Sequence, residues 1–323
     1  MKNKKVSWGI LGTAQIAIKK VIPAMIQTKF CIIEAIASRN LSRAKSVADQ
    51  FKIKKAFGSY EAMLLDPTIE AIYIPLPNHL HVEWIIKSLE VGKHVLCEKP
   101  IGMSLSEMVL LNKTKRKYPE LCVMEAFMYK FHPQWKKIMT LIANGSIGEL
   151  VHLQTHFSYN QLDPYNIRNQ KKMGGGSLYD IGCYAISLAR WLFKEEPVKV
   201  KGLSEYDPEM KIDRLTSGIL QFRKGSATFT CGTQMERFQV AHIFGSKGKI
   251  DVKYPFNCLD QKACIIVSQG SDTHQILFEP LNTYSLQFDH FCKVIRNLEP
   301  LLISISDSAN NIRVIEQLND KLK

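Results

Sequence analysis

The strongest constraint on this chain lies in its first third, where short apolar runs alternate with segments of helical periodicity. The apolar runs are Val6–Leu11, Cys31–Ala37, Ala71–Ile74, His94–Cys97 and Cys122–Ala126. Between them, Ala14–Thr28, Leu41–Phe51, His81–Val91 and Leu105–Tyr118 carry apolar residues at helical spacing, as Ala44, Val47, Ala48 and Phe51 show. Pro23 is expected to break the first of these helices. Strands that read as continuous apolar runs are buried on both faces. Separated by crossover helices, they predict an α/β arrangement with a doubly wound parallel sheet.

After about Met124 the pattern changes. A helix is expected at Pro133–Asn144, closed by Asn144-Gly145. Extended segments follow at Leu150–Tyr159, Val198–Tyr206, Leu215–Phe222, Ser226–Thr233, Val240–Phe244, Ile250–Tyr254 and Ala263–Ser268. Turn signals such as Arg223-Lys224-Gly225 and Gly245-Ser246-Lys247-Gly248 join several of them. Helices are expected at Ser177–Phe193, Ser285–Asn297 and Asp307–Leu322. This is an α+β pattern with a large, mainly antiparallel open sheet. The 323-residue length suits two domains, which we place at 1–123 and 124–323.

The first strand runs into a helix through Val6-Ser-Trp-Gly-Ile-Leu-Gly-Thr-Ala-Gln-Ile-Ala17. A Rossmann-type fingerprint needs a glycine at the tight turn and small residues where the backbone meets a pyrophosphate. Here the register is Gly12-x-Ala14-x-x-Ala17, with two of three glycines replaced, so the signal rests on its place in the first βα unit. Gly12, Thr13, Ala14 and Ile16 are the candidate phosphate-side residues. An NAD-preferring site ends its second strand with Asp or Glu. This one ends Ala37-Ser38-Arg39-Asn40, with Arg43 one turn on. Ser38 can donate to a 2′-phosphate, and Arg39 and Arg43 supply charge. NADP is therefore expected over NAD.

Two further strings carry chemistry. Gly92-Lys-His-Val-Leu-Cys-Glu-Lys-Pro100 delivers Glu98 and Lys99 to the carboxyl end of a strand, the end that faces ligands in open α/β sheets. Gly174-Gly-Gly-Ser-Leu-Tyr-Asp-Ile-Gly-Cys-Tyr184 leads three glycines into a helix with Asp180 and Tyr184 at i, i+4, on one face. With Leu76-Pro-Asn-His-Leu-His81 and Glu125-Ala-Phe-Met-Tyr-Lys-Phe-His-Pro-Gln134, these strings resemble the Gfo/Idh/MocA family over essentially the whole chain. The resemblance is to the branch with glucose–fructose oxidoreductase, NADP-dependent D-xylose dehydrogenase and dimeric dihydrodiol dehydrogenase. In that branch a tyrosine replaces the catalytic histidine of the inositol dehydrogenases.

The resemblance implies that Lys99 contacts the reacting hydroxyl and the nicotinamide ribose, and that Tyr184 takes the hydroxyl proton. A free tyrosine is a poor base at neutrality, and a nearby ammonium favours its phenolate. Asp180 is expected to orient substrate or Tyr184. Asn78 and His81 are expected on the nicotinamide side, and Leu76 and Glu98 are further cofactor-binding candidates. Tyr159, Asn166 and Arg168 are further substrate or cofactor candidates. Lys130 stands where the branch often has arginine, which loses a bidentate fork. The expected activity is hydride transfer between NADP and a CH–OH group of a sugar or polyol, such as an aldose oxidised at its anomeric carbon. The alternatives are a trans-dihydrodiol substrate, or a non-catalytic NADP(H)-binding regulator that has no need of Lys99 and Tyr184.

Charge and cysteines narrow the partners. The net charge is +13, but the lysines are dispersed and no aromatic-interleaved basic stripe appears, so we expect no nucleic acid. The eight cysteines have no metal or disulfide spacing, so we expect reduced thiols and no bound metal. Gly9 and Gly12 interrupt the apolar run after Lys2, Lys4 and Lys5, and no cleavage pattern follows. We read that run as a core strand, with a cytoplasmic location and no membrane helix. A homodimer or homotetramer through the open sheet is expected, because such a sheet needs a cover on its second face.

Overall fold

The computed structural model describes residues 4–258 and 262–321. The chain forms two compact units. The first runs to Met128 and takes back Asn282–Ala309; the second holds Tyr129–Leu281 and the residues from Asn310 onward. In packing, then, residues 282–309 go with the dinucleotide domain of the sequence reading, although they follow the antiparallel segments in the chain.

Unit 1 is built on six parallel strands: β1 (Val6–Leu11), β2 (Cys31–Ala37), β3 (Lys55–Phe57), β4 (Ala71–Ile74), β5 (His94–Cys97) and β6 (Val123–Glu125). Their order is β3-β2-β1-β4-β5-β6. The strand order reverses between β1 and β4, and the carboxyl ends there open the crevice used by ligands in this fold. The helices between them are α1 (Ile22–Gln27), α2 (Leu41–Phe51), α3 (Tyr60–Leu64), α4 (His81–Glu90) and α5 (Leu105–Lys115). Asn40, Ser59 and Ser104 cap α2, α3 and α5 by accepting a backbone N–H three residues on.

Pro23 does not break its helix. A π turn at Ala17–Val21 precedes α1, and Ile22 N–H reaches back five residues to the Ala17 carbonyl. Pro23 then falls in the opening turn of α1, where a missing N–H costs little. The returning segment contributes α8 (Thr283–Ile295). Its Phe288 and Phe291 pack on the fully buried Trp8 of β1, at ring distances of 4.9 and 5.8 Å. Tyr73 of β4 meets Phe288 edge-on at 5.5 Å. This aromatic cluster explains why α8 belongs to unit 1.

Unit 2 is an eight-stranded sheet of β7 (Leu150–Asn160), β8 (Lys199–Tyr206), β9 (Asp213–Gln221), β10 (Ser226–Gly232), β11 (Gln234–Gly245), β12 (Lys249–Val252), β13 (Ala263–Gln269) and β14 (Asp272–Phe278). The order is β14-β13-β12-β11-β7-β10-β9-β8, antiparallel except for the β7–β10 pair. On one face Leu153, Ala227, Phe229, Ala241, Ile243 and Ile265 are buried, and α7 (Cys183–Phe193) lies against β7 there. The helix α6 (Pro133–Ala143) is fastened by Trp135, whose indole N–H donates to the Pro255 carbonyl at 3.1 Å. The last helix, α9 (Ile305–Lys321), follows the expected segment; its expected end at Leu322 lies outside the described residues. Among the described residues no helix is long and apolar enough to cross a membrane.

Candidate active site

In unit 1 the candidate residues cluster at the carboxyl ends of the parallel strands. Gly12 follows β1 with φ of +112°, and its N–H donates to the Ala37 carbonyl at 2.9 Å. A Cβ there would lie 3.2 Å from Leu76 Cδ2 and 3.6 Å from the Tyr60 hydroxyl, so any side chain would crowd this turn. Thr13 is buried and Ala14 and Ile16 half-buried at the start of the following helix, whose free N–H groups suit a phosphate. Beyond β2, Ser38 is buried and Arg39 and Arg43 are exposed. Burial raises the pKa of Tyr60, while Arg39, which also hydrogen-bonds it, and Arg43 pull it down. Glu34, the carboxylate of β2, is engaged with Lys54 and Lys55, and none stands at the strand's carboxyl end. These residues supply the tight turn, the helix start and the charge that a dinucleotide with a 2′-phosphate calls for.

The end of β5 is firmly held. Glu98 Oε1 accepts from the Tyr73 hydroxyl at 2.7 Å, and burial followed by the Glu98 charge pushes the Tyr73 phenol well above its ordinary range. The Lys99–Pro100 peptide is cis. Ile101 N–H donates to Glu125 Oε1 at 3.0 Å. Leu76 is buried after β4, and Asn78 is half-buried in a short 3-10 turn. His81 is fully buried, with Nδ1 2.8 Å from the Pro100 carbonyl and Nε2 2.7 Å from the Leu76 carbonyl. Neither ring nitrogen is left for a cofactor. The sequence does not mark Tyr73, and shows Glu125 only as the head of a string, because each acts from a different strand than the turn it holds.

In unit 2 the three glycines fold against Asn166–Gln170. Gly176 N–H donates to the Arg168 carbonyl at 2.8 Å, and a Cβ on Gly175 would lie 2.5 Å from the same oxygen. Asn166 serves the local turn, its side chain accepting from the Arg168 N–H at 3.1 Å. The buried Asp213 receives the Ser177 hydroxyl and the Leu178 N–H, both at 2.7 Å, and the Thr216 hydroxyl at 3.0 Å. It anchors the π turn Leu178–Gly182 that carries Asp180. Burial raises the Asp213 pKa against these three donors.

Asp180 Oδ2 accepts from the Tyr159 hydroxyl at 2.5 Å and from Arg168 Nε at 3.1 Å. The Asp180 charge holds Arg168 well above its ordinary range, and burial, then Asp180, does the same to Tyr159. Tyr184 is 7% exposed, its ring set among Phe256 at 5.5 Å, Tyr129 at 5.7 Å and Phe157 at 5.7 Å. Tyr159, Arg168, Asp180 and Tyr184 thus belong to one neighbourhood of unit 2. Lys130 is buried with its ammonium 5.2 Å from the Trp191 ring. A cation over an indole face makes good use of a point charge.

Residues 6–126 match the family described as oxidoreductase family, NAD-binding Rossmann fold, and residues 135–251 match the GFO/IDH/MocA C-terminal domain. The uncharacterized oxidoreductase ORF334 of Rhizobium meliloti is 42% identical over 324 residues, covering 97% of this chain and 96% of that protein. D-xylose 1-dehydrogenase (NADP(+)) 2 of Haloferax volcanii is 35% identical over 318 residues, covering 96% and 95%. Among solved structures, KijD10, a 3-ketoreductase from Actinomadura kijaniata in complex with NADP and TDP-benzene, superposes with a TM-score of 0.91 at 25% identity, covering 98% of each chain.

Proposed function

The chain belongs to the GFO/IDH/MocA family of oxidoreductases, and on that premise we propose that it is an NADP-dependent dehydrogenase of a sugar or polyol CH–OH group, of the aldose 1-dehydrogenase kind. The observation that carries the proposal is the state of Asp180. Left alone, a carboxylate four residues before the base would repel a phenolate on Tyr184. Arg168 and Tyr159 absorb that charge, so Tyr184 can hold a proton or give it up.

NADP⁺, when bound, supplies the hydride acceptor. Gly12, Thr13, Ala14 and Ile16 would line its phosphates, Ser38, Arg39 and Arg43 would hold its 2′-phosphate, and Leu76, Asn78 and Glu98 would flank its nicotinamide side. Tyr184 takes the hydroxyl proton as the carbon is oxidised and returns it in the reverse reaction. The resemblance assigns to the Lys99 ammonium a contact with the reacting hydroxyl, where it would stabilise negative charge on that oxygen. Asp180 and Arg168 orient the neighbouring substrate hydroxyls, with Tyr159 behind them.

The test is NADPH formation, followed by absorbance with D-xylose, other aldoses, inositols and trans-dihydrodiols. Turnover with an aldose and NADP⁺ is expected; turnover confined to dihydrodiols, or none, would sink the sugar assignment. Arg39→Asp is expected to weaken NADP⁺ binding about 10²-fold, since it removes a charge-assisted bond and adds repulsion. NAD⁺ binding should change far less, and equal losses for both would remove Arg39 from the 2′-phosphate site.

A homo-oligomer through the open sheet is part of the same reading. Leu203 and Ile219, on the neighbouring strands β8 and β9, project from the face opposite the core at 80% and 53% exposure, an apolar patch that a second copy would cover. Light scattering that gives a monomer mass would refute it.

A further inference from the structure

Two loops of unit 1 carry residues assigned above to the nicotinamide side and to the reacting hydroxyl. They are Leu76-Pro77-Asn78 after β4 and Glu98-Lys99-Pro100 after β5. His81, at the head of α4, stands between them with one ring nitrogen on a carbonyl of each loop. Both partners are acceptors. A neutral imidazole donates from one nitrogen, and only an imidazolium donates from both. Burial foremost, helped by the Lys99 and His79 charges, pushes His81 down to about 4 against the pull of the two carbonyls. With an acceptor at hydrogen-bond distance from each nitrogen, the ring bridges the two loops, donating to one carbonyl when neutral and to both when protonated. With both nitrogens turned to backbone, its work is mechanical.

We propose that His81 is a positioning residue for Lys99, a strut that fixes the turn bearing Lys99 against the loop bearing Asn78. Tyr73 and Glu125 hold the residues on either side, Glu98 and Ile101, by bonds from strands. The carbonyl of Pro100, the residue next to Lys99, is the point that His81 holds. A lysine side chain is long and flexible, so where its ammonium can reach is set by its backbone. A displacement of about 1 Å in a reacting group costs about 10²-fold in rate. This inference rests on the role of Lys99 given above.

The experiment compares the wild type, His81→Phe, His81→Gln, Lys99→Met and the His81→Phe/Lys99→Met double variant, using D-xylose or whichever panel substrate turns over fastest. His81→Phe fills the space of the imidazole and removes its donor; it is expected to lower kcat about 10²-fold with KM for NADP⁺ near the wild-type value. His81→Gln keeps one donor and should restore part of the rate. In the Lys99→Met background, adding His81→Phe should cost nothing more, because the group it positions is gone. The same loss in both backgrounds, or a loss confined to KM for NADP⁺, would overturn the strut. Wild-type turnover by Lys99→Met would instead overturn the role of Lys99, and this inference with it.

Amide exchange on the cofactor-free protein needs no substrate. His81→Phe should speed exchange in residues 76–78 and 98–102 together. Unchanged exchange in either loop would count against the strut, and His81→Gln carries both measurements if the phenylalanine variant does not fold.

Discussion

Tyr184→Phe is expected to lower turnover by about 10²–10⁴-fold, the span of a lost general acid–base group, while NADPH binding and thermal stability stay near wild type. The substitution isolates the hydroxyl. The Tyr184 ring is wedged among Phe256, Phe157 and Tyr129, and phenylalanine keeps each of these ring contacts. What is removed is the hydroxyl, and with it proton transfer. Steady-state rates, an NADPH fluorescence titration and a melting curve check the three parts separately. Wild-type turnover with cofactor bound would take Tyr184 out of the mechanism. A large fall in melting temperature would instead show that the hydroxyl supports the fold, and the lost rate could then not be assigned to chemistry. Lys99→Met is the companion measurement, because its loss should fall on the rate and not on the aromatic packing of unit 2.

The parallel sheet was legible because strands buried on both faces spell continuous apolar runs. Two strands escaped that reading. β3 is three half-buried residues, Lys55–Phe57, too short to show a period. β14 is an edge strand, largely exposed, so Asp272–Phe278 carries no clean alternation. The helix at Thr283–Ile295 was visible by its period, but a sequence shows which face is apolar and not what that face will meet. Here it meets Trp8. The strings holding Lys99, Asp180 and Tyr184 stood out as unusual patterns of glycine, proline and charge. Their supports did not. Tyr73 and Asp213 read as ordinary strand residues, Glu125 only as the head of a string, and each reaches its partner across 24 to 36 positions of chain. His81 sits in a conspicuous string, yet nothing in that string shows its ring turned inward to two carbonyls.

Gly176→Ala should destabilise unit 2 by about 2–4 kcal/mol and reduce turnover with it. Gly176 sits at φ +115°, a region that L side chains rarely adopt. Its added Cβ would also collide with Asp213 Oδ1. A flexible neighbour would swing aside, but Asp213 is buried and pinned by Ser177, Leu178 and Thr216. Moving it would strand three donors, and would release the turn on which Asp180 meets Tyr159 and Arg168. Gly145→Ala separates the two costs. Gly145 also has positive φ, at +75°, but a Cβ there meets nothing within 4 Å. It should cost about 1 kcal/mol, the backbone preference alone, and leave turnover unchanged. Denaturant unfolding of the two variants measures the difference. Equal losses would mean that Asp213 gives way, and that the glycines of this loop serve only the backbone; a much larger loss at Gly176 would identify the buried carboxylate as the anchor of the catalytic turn.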